Sequence, residues 1–91
     1  MQPEMQQSLL LKAHDLINGD RAKDYGPVSE SMGRIAALWS TVLGVAVSPS
    51  QACLMLVCLK VARLSQNADH RDSWTDIAGY SGCWDKMQLG Q

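Results

Sequence analysis

Two basic side chains and an aromatic ring stand close together at Arg21, Lys23 and Tyr25, with Asp24 among them and Gly26-Pro27 directly after. Cations beside an aromatic ring, leading toward a helix start whose free N–H groups favour anions, would suit a phosphate and a stacked base. The same residues also read as a solvated turn, since charged turns are common on surfaces. A second basic pair, Lys60 and Arg63, is three residues apart and so shares one face of a helix. It could grip phosphate. It could equally pair with Asp72 or Asp76 across a helix interface, the commoner outcome for such charges.

The acidic candidates lie mostly in the stretch from Asp69 to Asp76. Asp72 and Asp76 are one helical turn apart, and with Glu30 from an earlier helix they could share a hard cation, for which magnesium is the natural choice of an oxygen-only set. The structural alternative is that Asp69 or Asp72 caps the last helix while Asp76 neutralises Arg63 or Arg34. Nucleophilic catalysis has little support, because the serines lie in no nucleophile-elbow setting. His70 reads as a connector residue and His14 as a surface or rim residue. Cys53, Cys58 and Cys83 form no C-x-x-C pair and read as reduced core residues rather than zinc ligands. Trp39, Trp74 and Trp84 read first as core or interface aromatics, one of which could wall a base pocket.

Four helices are expected to position these groups. Leu9, Leu10, Ala13, Leu16 and Ile17 recur at helical spacing, which predicts a helix near 3–17, opened by Pro3 and closed by a left-handed stop at Asn18-Gly19. The segment from Asp20 to Pro27 reads as a loop, because Gly26-Pro27 cannot continue a helix. Met32, Ile35, Ala36, Trp39 and Val42 predict a second helix near 29–43, stopped at Gly44. Ser48-Pro49-Ser50-Gln51 carries a capping-box signature and opens a third near 49–65. The last runs near 72–88, with Gly79 and Gly82 inside it, where a neighbouring helix is expected to approach closely. The third helix is apolar nearly all round from Ala52 to Leu59, and a helix without a polar face must be surrounded. So small a chain cannot enclose it alone, which predicts a homo-oligomer.

At 91 residues the chain is read as one all-α domain over 1–91, a four-helix arrangement. A net charge of −1 with scattered Lys and Arg disfavours nucleic acid as a partner. The polar residues 1–8 do not read as a signal peptide, and no apolar run nears the ~20 residues of a membrane span. A cytoplasmic protein is expected.

Arg21-Ala-Lys-Asp-Tyr-Gly-Pro27, Arg34-Ile-Ala-Ala-Leu-Trp39, Leu59-Lys-Val-Ala-Arg-Leu64 and the run from Asp72 to Tyr80 together resemble a short all-helical family of tailed phages and prophages, over about residues 8–87. That resemblance implies a bacterial host cell as the setting and transfers no activity. More distantly, the helix order and acidic last helix look like the MazG-like all-α nucleotide pyrophosphohydrolases, which hold magnesium against a nucleoside triphosphate with carboxylates on two helices. Their E-x-x-E and E-x-x-D pairs are incomplete here, and only Glu30 and Asp76 are counterparts. Three functions follow as expectations. The first is a binder of a nucleotide or other phosphate-bearing small molecule, sequestering a signalling nucleotide, with Arg21, Lys23, Lys60 and Arg63 on phosphate and Tyr25 or a tryptophan on the base. The second is a reduced MazG-like enzyme with magnesium on Glu30, Asp72 and Asp76, and the third a protein-binding accessory factor. An enzyme requires the carboxylates to converge at a cavity, a binder the basic residues and an aromatic, and an accessory factor neither.

Overall fold

The computed structural model describes residues 7–91, and the side chains of all of these except residues 20–22. Four long helices are present, α1 (Leu9–Asn18), α3 (Val28–Leu43), α4 (Pro49–Gln66) and α5 (Arg71–Gln88), with a short α2 (Asp20–Tyr25) between the first two. Among the described residues there is no strand. The all-α expectation holds, and three of the four expected helices lie within a residue of their expected bounds.

The expected start of α1 at Pro3 lies outside the described residues. Residues 7 and 8 are already non-helical, and Ser8 opens α1 by accepting the Leu10 N–H at 3.3 Å. Gly19 closes α1 but not by the left-handed stop expected, for its φ is −100°. Close approach is the reason for glycine there: a Cβ would lie 2.8 Å from the Asp15 carbonyl oxygen. The expected loop from Asp20 is also corrected, because residues 20–25 are helical. Arg, Ala and Lys are good helix formers, and six residues framed by Gly19 and Gly26 are enough for one short turn of helix but too few to display a period.

Ser48 and Gln51 form the expected capping box at α4, each side chain accepting the other's backbone N–H, at 3.1 and 2.9 Å. At α5 the cap is neither Asp69 nor Asp72. His70 takes that place, its Nδ1 accepting the Ser73 N–H at 3.3 Å and lying 2.7 Å from the buried Ser73 hydroxyl. Asp72 instead stands in the first turn of α5, where an acid complements the positive end of the helix dipole.

α5 is the hub, with α1 and α4 lying along it and α3 packed on α4. The expected close neighbour at the glycines is α1. A Cβ on Gly82 would meet Ile17 Cδ1 at 2.5 Å, and one on Gly79 would meet Ile17 Cγ2 at 3.8 Å. Lys86 in the last turn of α5 donates to the Ile17 carbonyl at 3.4 Å, a cation placed at the negative end of α1. The buried apolar residues are few and mostly small: Ala13, Met32, Ala36, Ala52, Cys53 and Leu64. Trp74 and Trp84, expected as core or interface aromatics, are about half exposed. Within one chain α4 is not surrounded, and Leu54, Leu59 and Val61 remain more than half exposed. Among the described residues no helix is long and apolar enough to cross a membrane.

Candidate functional site

All five helices contribute to one cavity of about 260 Å³. Leu16 and Ile17 of α1, Met32 and Ile35 of α3 and Leu56 of α4 make its apolar walls, and Tyr25, Ser31, Thr75, Asp76, Tyr80 and Cys83 are the polar residues of its lining. Asp76, Gly79, Tyr80 and Cys83 recur at three and four along α5, so one face of the hub helix forms a complete wall. Gly26 matters for the mouth. Its φ of +74° turns the chain between α2 and α3, a conformation L side chains rarely adopt, and this turn delivers Tyr25 to the rim. Arg34, expected as a partner of Asp76, instead donates from Nη2 to the Tyr25 carbonyl at 3.1 Å and ties the end of α2 to α3.

Asp76 is the charged group at this wall. Lys60 of α4 reaches across the helix interface and places Nζ 3.0 Å from Asp76 Oδ2, with both side chains largely shielded from solvent. This is the pairing of Lys60 with Asp76 that the structural alternative anticipated, and Arg63 takes no part in it. Asp76 is paired and also lines the cavity, which puts a carboxylate acceptor at a largely apolar wall. Deeper between α4 and α5, the Cys53 thiol donates to the Tyr80 carbonyl at 3.2 Å. Burial, reinforced by Cys83 and opposed by a backbone hydrogen bond at Trp84, pushes that thiol up to about 11, so it is protonated and unreactive at neutral pH.

The candidate residues divide clearly. Tyr25 and Asp76 line the cavity, and Lys60 touches it through Asp76. Lys23 and Arg63 are exposed and line no part of it, and the Arg21 side chain lies outside the described residues. The expected magnesium set is not assembled, for among the described residues no three His, Cys, Asp or Glu side chains group to hold a metal ion. Glu30 and Asp72 are both exposed, each in the first turn of its helix. His14 is exposed, as expected. The aromatics at the cavity are Tyr25 and Tyr80 rather than any tryptophan. Tyr80, Ser31 and Thr75 were not singled out as site residues; the available signal was the shared face of Asp76 and Tyr80, four apart on α5.

The chain resembles the Gene 55 protein of Mycobacterium phage L5, at 46% identity over 83 residues, covering 90% of this chain and 53% of the relative. It resembles the Gene 55 protein of Mycobacterium phage D29 at 39% identity over 83 residues, covering 91% of this chain and 55% of that relative. The chain thus spans about half the length of the curated relatives it matches. No solved structure matches it. The expected phage family is met in these relatives, and the MazG-like likeness has no counterpart among them. A family model matches residues 8–88, nearly the whole chain, and this protein belongs to that family, described as Domain of unknown function (DUF6378).

Proposed function

We propose that this phage-family protein binds a small molecule carrying a planar, hydrogen-bonding ring of the nucleobase kind in the five-helix cavity. The observation that carries this reading is the shielded Asp76 carboxylate in an otherwise largely apolar wall, with Lys60 held on one of its oxygens. A few placed polar groups in an apolar cleft are the ordinary make-up of a small-molecule site. Asp76 would accept from ring N–H or amino donors, and Tyr25 at the rim would cover the ring face. A cavity of 260 Å³ holds a base with its sugar and leaves phosphates outside, near the mouth. Recognition is therefore of the base first, and the exposed Lys23 and Arg63 contribute little to it. Among the described residues no carboxylate set is assembled, and the reading is one of binding and sequestration.

Thermal unfolding against nucleosides, nucleoside mono- and triphosphates and cyclic nucleotides, with and without magnesium, tests it. A ligand held only by the folded state stabilises by about 2.7 kcal/mol at a hundredfold its Kd, a rise of roughly 14 °C for a domain of this size. The expected result is a magnesium-independent shift that depends on the base, is shared by nucleoside and nucleotide, disappears in Asp76→Asn and survives in Arg63→Ala. No shift with any compound overturns the reading, and magnesium-dependent turnover replaces it with the enzyme.

A further inference from the structure

Three glycines stand inside the long helices, Gly33 in α3 and Gly79 and Gly82 in α5. Each lowers helix propensity relative to alanine, because the chain gives up more freedom at a glycine when it becomes helical. Gly82 has its reason in packing, since a Cβ there would stand 2.5 Å from Ile17 Cδ1. Packing gives Gly79 no such reason. Among the described residues, a Cβ at 79 would meet within 4 Å just the Ile17 Cγ2 methyl, at the ordinary contact distance of 3.8 Å. Its φ does not lie in the left-handed region that would itself call for glycine. What a side chain at 79 would enter is the five-helix cavity, whose wall Gly79 forms together with Asp76 and Tyr80. Open space alone does not mark a site. Among the described residues Gly33 too has nothing within 4 Å of its Cβ position, yet it lines no part of the cavity.

We infer that the missing side chain of Gly79 is part of the ligand contact: resting on the base-binding reading above, the planar ring lies on the bare α5 backbone at this position. Asp76 and Gly79 are three apart, and residues at that spacing are neighbours on one helix face, about 5–6 Å from each other. A ring whose donor edge meets the Asp76 carboxylate and whose body runs along α5 therefore covers position 79. Without a Cβ the ring face reaches the peptide groups themselves. With one, the ring is lifted off the helix and its donors are carried away from Asp76. The glycine thus weakens α5 and serves the cavity, so that stability and binding pull in opposite directions at this one residue.

Titration calorimetry of adenosine, guanosine, cytidine and uridine into the full chain, beside thermal unfolding without ligand, tests this in the wild type, Gly79→Ala, Gly33→Ala and Asp76→Asn. The nucleoside that the wild type binds should bind Gly79→Ala about tenfold more weakly or worse, the effect of one methyl group forced into a filled site. The unliganded Gly79→Ala protein should nevertheless melt above the wild type. Gly33→Ala should also melt higher and bind as the wild type does. Undiminished binding by Gly79→Ala, with Asp76→Asn defective, overturns the inference and leaves the base-binding reading standing. An equal loss of binding in Gly33→Ala overturns it as well, because stiffening of a helix would then be the cause, and so does a Gly79→Ala protein less stable than the wild type, because packing would then account for the glycine. A wild type that binds none of the four overturns the base-binding reading itself, and the inference with it.

Discussion

Cys53 shows how much one position can hide from the sequence. As a letter it is one of three cysteines; in the fold it is the buried thiol between α4 and α5, held on the Tyr80 carbonyl. Its pKa of about 11 stands above the ordinary 9.0. The folded state therefore holds this proton more tightly than the unfolded state. The stabilisation is fully present below about pH 9 and fades as pH rises toward 11. Urea midpoints should accordingly fall between pH 8 and pH 10.5, and fall less in Cys53→Ala, whose background slope reports the remaining lysines and tyrosines. An equal slope in both proteins would show that the thiol titrates normally. Residue types alone made Asp76 legible as a candidate and the pairing with Lys60 legible as an alternative. They did not separate Asp76 from Asp72, one turn away, because only the crossing of α4 over α5 decides which carboxylate faces the cavity and which faces solvent.

Elements were more legible than residues. The capping box at Ser48 and the stop at Gly44 are local chemistry, complete within a few positions, and both appear as read. The short α2 escaped because a single turn has no periodicity, and the His70 cap escaped because imidazole is not among the side chains that usually fill that role. Close packing at the α1–α5 crossing was legible from Gly79 and Gly82, and the two sites are not equivalent. Gly79→Ala meets only an ordinary contact at 3.8 Å, so it should gain about 1 kcal/mol of helix propensity and raise the thermal midpoint by a few degrees. Gly82→Ala must displace the Ile17 terminal methyl from 2.5 Å, which offsets much of the same gain, and the branched Gly82→Val should fall below wild type. Thermal unfolding of the three variants checks the order. If Gly82→Ala gained as much as Gly79→Ala, Ile17 would not be pressed against that glycine in solution.

At the scale of the whole molecule, an apolar α4 and a short chain are together enough to announce a shortage of cover, and the uncovered Leu54, Leu59 and Val61 bear that out within the single chain. Which helix would rest on which is a different matter, since pairing between distant segments leaves no periodic trace. The pairing has its own consequence in time. α1 rests chiefly on α5, some fifty residues later in the chain. During synthesis α1 therefore leaves the ribosome with its main partner still untranslated. Ribosome-stalled chains that end within the connector at residues 67–70 should leave α1 open to protease, and protection should come in one step once α5 has cleared the exit tunnel. Gradual protection, helix by helix, would mean that α1 is held by something other than the hub.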